Sequence, residues 1–280
     1  MHADGGLDYS AWARLIEFHL ENGTRGIVVG GTTGESATLS DAELRELTER
    51  ACAQARGRIQ VIAGAGTSST ATTAERVGWV SQLPVDGVLI VTPAYNRPSQ
   101  EGLFRHYQAA AAASRVPVIA YNVPSRTAVD MLPATVARIA QLPRIVAVKE
   151  AVAQVSRVRE ILERVPASFV VLSGDDASAC EVVLAGARGV VSVTANVVPG
   201  AMAAMVAAAA NGDAAAAHAL DAGIAALHET LFLETNPIPA KWALARMGLI
   251  GPGLRLPLTE LAEPFRAQLE RALRQSGALR

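Results

Sequence analysis

Seven short apolar runs punctuate the first two thirds of the chain: Gly26–Gly30, Ile59–Gly64, Asp86–Thr92, Val116–Asn122, Ile145–Glu150, Phe169–Gly174 and Gly189–Val193. Each is rich in valine and isoleucine, is bounded by turn residues and lacks strict apolar–polar alternation. That pattern predicts strands buried on both faces, as in a parallel sheet. The stretches between them read as capped helices. Ser40 with Glu43 is a capping-box pattern that opens a helix to about Arg56. Ser99 opens another to about Ser114, Pro133 suits the first turn of one to about Gln141, and Asp176 is expected to cap one to about Ala185. Repeated βα units in a chain of 280 residues predict a (β/α)8 TIM barrel or a doubly wound sheet.

After residue 194 the strand pattern stops. Pro199–Asn211, Gly212–Leu233, Pro237–Met247 and Leu258–Ser276 read as helices. The expected division is a barrel over 1–198 and a C-terminal helical region over 199–280. A closed barrel has eight strands and only seven are readable. The first helix begins by about Asp8, so the strand missing from the pattern is the first. The expectation is an upstream start in the gene or a weakly stable product, because an unpaired barrel edge is exposed.

Composition narrows the class. Half of the residues are hydrophobic and 18% are charged, which excludes disorder as the default state. Lysine and arginine number 25 against 26 acidic residues, a net charge of −1, so no basic excess exists to bind nucleic acid through bulk charge. The longest apolar run, Ala201–Ala210, is half the length of a membrane span of about 20 residues. No basic segment followed by an apolar one opens the chain, so a cytoplasmic protein without membrane partners is expected. Cys52 and Cys180 are two free thiols in that reading and exclude a disulfide scaffold.

Most common chemistries find no footing. The histidines are scattered without paired ligand spacing, so no metal site is readable, and GxSxG and P-loop patterns are absent. Gly64-Ala65-Gly66 is a weak dinucleotide signal, and Asp175-Asp176 reads as a cap and turn. What remains lies at the C-terminal ends of strands, which converge on the mouth of a barrel. Gly31-Thr32-Thr33-Gly34-Glu35-Ser36 offers backbone N–H groups and hydroxyls. Tyr121 ends a strand and is followed by Arg126, a residue type that clamps carboxylates. Lys149 is the sharpest. Only two of the 25 basic residues are lysines, Lys149 and Lys241, so each has a raised chance of serving for its amine. A lysine ending a buried strand loses solvation, which favours the neutral amine that attacks a ketone to form a Schiff base. Glu150 is a poor ion-pair partner for it, since adjacent strand residues face opposite sides.

These residues lie within longer motifs: GTTGESATL (31–39), VTPAYNRPSQEGL (91–103), YNVPSRT (121–127), VKEA (148–151), LSGDDASA (172–179), VSVTANV (191–197) and NPIPAKW (236–242). Together they resemble, over essentially the whole chain, the dihydrodipicolinate synthase / N-acetylneuraminate lyase family of class I pyruvate aldolases. The resemblance implies a lyase without metal or organic cofactor. Lys149 would form the Schiff base with pyruvate, and Tyr121 would shuttle protons through Thr32 to Tyr95, the latter contributed by a neighbouring subunit of a homotetramer. Thr33 would hold the pyruvate carboxylate, Arg126 the carboxylate of L-aspartate 4-semialdehyde, and Gly174 and Val191 would line the lysine with backbone. Lys241 reads as structural. GTTGE together with YNVPSR favours the synthase branch, which makes 4-hydroxy-tetrahydrodipicolinate in the first committed step of diaminopimelate and lysine biosynthesis. Another pyruvate-dependent aldolase of the family, or a non-catalytic paralogue, are the alternatives. Inhibited members bind free lysine at a dimer interface. Here the corresponding positions are Asp41, Leu44, Ser68, Thr72 and Ala94, and insensitivity to lysine is expected.

Overall fold

The computed structural model describes residues 1–279. Six strands form one parallel sheet in sequential order, β1 (Gly26–Val29), β2 (Gln60–Gly64), β3 (Gly87–Val91), β4 (Val118–Asn122), β5 (Ile145–Glu150) and β6 (Val170–Ser173). Sequential parallel order requires a crossover after every strand. Helices supply these: α1 (Tyr9–Glu21) before β1, then α2 (Asp41–Ala55), α3 (Thr70–Val80), α4 (Gln100–Ala113), the single turn α5 (Pro124–Thr127) with α6 (Pro133–Ile139), and α7 (Val155–Arg164). After β6 follow α8 (Ala179–Leu184), α9 (Pro199–Ala210), α10 (Ala214–Thr230), α11 (Ile238–Arg246) and α12 (Glu263–Gln275). The sheet curls as in a TIM barrel. None of the α-helices is long and apolar enough to cross a membrane, among the described residues.

The strands bury both faces, as their unbroken apolar runs require. Val61, Val88, Ile90, Val118, Ala120 and Val148 point outward into the large core shared with the helices. Leu89 and Tyr121 point the other way and pack with Val28, Ile62, Val91 and Ile119 inside the curl. Gly64 and Gly66 belong to this tight wrapping. A Cβ on Gly64 would lie 2.2 Å from the Gly30 carbonyl oxygen, and one on Gly66 2.6 Å from the Val91 nitrogen. The glycine pair that hints at a dinucleotide is therefore explained by close approach of neighbouring backbones.

Three expectations need correction. Gly189–Val193 is not a full strand: Val190 makes one isolated parallel bridge to Ser173. The Asp176 carboxylate accepts the N–H groups of Val193 and Thr194, both at 2.9 Å, and turns the chain into a 3-10 segment, Thr194–Asn196. For the same reason Asp176 does not cap α8 with its side chain. Asp175 does the local work, accepting from the Ser178 N–H and hydroxyl. The last helix starts at Glu263 rather than Leu258, because Pro264 fits only a first turn. The capping box of α2 is present as expected, with reciprocal Ser40 and Glu43 bonds. No strand precedes α1 among the described residues.

Candidate active site

Register places the reactive groups. Tyr121 of β4 sits opposite Lys149 of β5, and Asn122 opposite Glu150. Side chains alternate along a strand, so Tyr121 and Lys149 share the inner face and Asn122 and Glu150 the outer one. The Glu150 carboxylate accepts from the Asn122 amide and from the Val152 N–H. It is engaged away from the lysine, as adjacency on a strand demands. Asn122 also donates to Asp130, which pairs with Arg157 of α7 at 2.6 Å. Burial raises the Glu150 carboxyl to about 7.

Lys149 is 9% exposed, and its Nζ lies 4.0 Å from the centre of the Tyr121 ring. Burial pulls its ammonium down to about 8; the Asp176 charge opposes this and the Arg126 charge adds to it. About a tenth of the amine is thus neutral at pH 7, against far less than a hundredth for an ordinary lysine. Tyr121 is driven to about 12 by burial, which keeps its phenol protonated, and the Thr32 side chain acts on it in the opposite direction. Gly174 follows β6 and faces the lysine stem. A Cβ there would stand 3.0 Å from Lys149 Cε and 2.9 Å from Ala151 Cβ. Only glycine leaves the amine its present path.

The loop after β1 folds into a 3-10 turn, Thr32–Gly34, that brings both threonines to this mouth. Asn236 donates to the Thr33 hydroxyl at 3.0 Å, and Arg126 donates to the Asn236 carbonyl at 3.1 Å. Thr33, Arg126 and the segment before α11 are therefore tied together. Val191 donates to the Ser173 carbonyl, which fixes the backbone beside Gly174. Tyr95 is the exception: it is 95% exposed. Among the described residues, no hydrogen bond or ring contact joins it to the other site residues. Lys241 bonds the buried Glu35 and the Gly253 carbonyl, a structural role.

Sequence reasoning gave no role to Asn236 and read Asp176 only as a helix cap. Both lie in motifs it singled out, but residue type alone does not show that chain segments far apart meet. Among the described residues, Asp176 Oδ1 is buried without a hydrogen-bond partner.

A cool amine under a phenol, at the C-terminal rim of a curled parallel sheet, defines a carbonyl-condensing lyase centre. The dihydrodipicolinate synthetase family model matches residues 1–276. The chain belongs to that family. It is 52% identical over 279 residues to the 4-hydroxy-tetrahydrodipicolinate synthase of Methylococcus capsulatus, covering 100% of this chain and 96% of the relative. The enzyme of the same name from Stutzerimonas stutzeri is 50% identical over the same shares. The crystal structure of the chloride-inhibited dihydrodipicolinate synthase from Acinetobacter baumannii, complexed with pyruvate, superposes with a TM-score of 0.98. It shows 46% identity and coverage of 100% of this chain and 96% of that one.

Proposed function

We propose that this chain condenses pyruvate with L-aspartate 4-semialdehyde to 4-hydroxy-tetrahydrodipicolinate through a Schiff base on Lys149. The observation that carries the reading is the pairing of Lys149 with Tyr121 across β4 and β5, with Nζ 4.0 Å from the ring. Two relatives about half identical over the full chain bear the name of that synthase, and a related structure holds pyruvate.

Neutral Lys149 adds to the pyruvate carbonyl. The carbinolamine loses water and leaves an iminium. The iminium draws electrons from the methyl carbon, which gives up a proton and becomes an enamine carbon. That carbon attacks the aldehyde of the second substrate, forming the new carbon–carbon bond. The substrate amine then adds to the iminium carbon, Lys149 departs as an amine, and the ring closes. Tyr121 is held protonated by burial, with Thr32 acting on its phenol, so it can give and recover protons in each step. Thr33 and Arg126 bind the two substrate carboxylates, both pre-positioned through Asn236. Tyr95 completes the proton relay from a neighbouring subunit of a homotetramer.

Incubation with pyruvate and borohydride, followed by peptide mass spectrometry, tests the reading. An adduct confined to Lys149 is expected, absent in Lys149→Ala. Modification at Lys241, or none, would remove the mechanism. Comparison of L-aspartate 4-semialdehyde with N-acetylmannosamine as acceptor separates the synthase from another lyase of the family.

A further inference from the structure

Three donors of different chemistry meet on the outer helical layer, away from the residues assigned to catalysis. Cys180 and Glu181 lie on α8 and His218 on α10. One ligand atom of each, the thiol sulfur, a carboxylate oxygen and an imidazole nitrogen, falls within 4.8 Å of the other two. His218 Nε2 and Glu181 Oε1 already approach to 2.6 Å. We propose that Cys180, Glu181 and His218 bind a divalent transition-metal ion of the zinc class, with water in the fourth position.

The donor set selects the ion. Thiolate and imidazole suit zinc, cobalt and copper and are poor ligands for magnesium or calcium. Tetrahedral zinc holds sulfur at about 2.3 Å and nitrogen or carboxylate oxygen at about 2.0–2.2 Å, so its ligands stand about 3.4–3.7 Å apart. The three donor atoms lie within 4.8 Å of one another, and the His218–Glu181 pair, at 2.6 Å, stands closer than ligands around a bound ion do. Glu181 and His218 are exposed by more than half, so their side chains are free to rotate to the ligand spacing. Cys180 is fixed, packed at 2% exposure with Met202, Met205, Ala217 and Ile224. A rigid sulfur at the back with two adjustable donors in front leaves one position open to solvent.

Neighbouring charge supports the assignment. Asp221 lies three residues after His218 on α10, and its carboxylate acts on the Cys180 thiol. A thiol that ligates a metal gives up its proton to solvent as the ion binds. Asp221 is itself bonded to His228 at 3.3 Å, a polar group behind the donors rather than a ligand. Without an ion, the exposed His218–Glu181 pair contributes little to stability. With one, α8 is tied to α10 across the strands-to-helices junction.

The experiment uses the intact enzyme stripped with a chelator and then titrated with Co(II). Expected are the near-ultraviolet thiolate-to-cobalt charge-transfer band, the visible bands of tetrahedral cobalt, and their loss on adding Zn(II). Cys180→Ala should abolish the charge-transfer band. His218→Ala and Glu181→Gln lie on the surface and retain the fold. Each should weaken zinc at least about tenfold, about 1.4 kcal/mol, and remove the rise in melting temperature that zinc gives the unaltered protein. Synthase activity should stay unchanged in both. Absence of the charge-transfer band in the unaltered protein, or equal zinc affinity in all variants, would overturn the site.

Discussion

Lys149 illustrates how much of the chemistry is set by one side chain's surroundings. Burial is the largest influence on its ammonium, followed by Asp176, which opposes, and Arg126, which assists; the balance falls at about 8. Only the neutral amine forms the imine. At limiting pyruvate the rate of borohydride-trapped imine formation should therefore rise with pH and reach half its maximum near 8. Arg126→Gln removes a positive charge that disfavours the ammonium, so the midpoint should move upward. A midpoint near the ordinary lysine value in the unaltered protein, or a downward shift in the variant, would contradict the electrostatic account. Gly174 offers a steric counterpart. An added methyl would stand 3.0 Å from Lys149 Cε and 2.9 Å from Ala151 Cβ. Gly174→Ala should lower kcat at least about tenfold, about 1.4 kcal/mol in barrier, while circular dichroism and pyruvate-free stability change little. Lys149 and Tyr121 were legible in the sequence because a lone lysine and a strand-end tyrosine are anomalies against an apolar run. Asn236 was not, because an asparagine in a proline-rich loop is ordinary until tertiary contact gives it Thr33 and Arg126 as partners.

At the scale of elements, the strands were legible where burial on both faces leaves a continuous apolar run, as in Gly87–Val91. They were not where a side chain from another segment intervenes. Gly189–Val193 has strand composition, yet Asp176 captures the Val193 and Thr194 amides and ends the ladder after one bridge. Caps were legible when the whole signal is local. Ser40 and Glu43 satisfy each other within one turn, and Ser40→Ala should cost about 1 kcal/mol, read as a fall of roughly 2–4 °C in melting temperature. The loop carrying Tyr95 has a different logic. Asn96 donates to the Ser68 carbonyl and Arg97 to the Ala128 carbonyl, so the loop is pinned on both strands' flanks. Tyr95, at φ +72°, is left projecting with 95% of its surface exposed. Backbone strain and an exposed aromatic together point to contact outside the chain. Mixing inactive Tyr95→Phe with inactive Lys149→Ala subunits should restore measurable activity, since one hybrid site regains both residues. Verified subunit exchange without recovery would place Tyr95 outside the relay.

At the scale of the whole molecule, regulation follows from what stands at the expected effector positions. Recognition of free lysine needs negative charge for its ammonium groups, polar groups for its carboxylate and apolar packing along its stem. Of the five positions, Leu44 is buried in the core against the sheet and offers no hydrogen bond. Asp41 carries a suitable charge, but Arg76 already occupies it at 2.6 Å. Thr72 and Ala94 supply neither charge nor an aromatic surface. A charged hydrogen bond contributes about 1.5–3 kcal/mol, and each 1.4 kcal/mol is about tenfold in affinity. Loss of even two such contacts weakens binding by more than about a hundredfold. Activity in millimolar L-lysine should match activity without it. Releasing Asp41 through Arg76→Ala returns one charge but not the lost packing, so that variant should remain insensitive as well. Partial inhibition of the unaltered enzyme, or a lysine bound at the interface in a soaked crystal, would show that these positions do not govern the response.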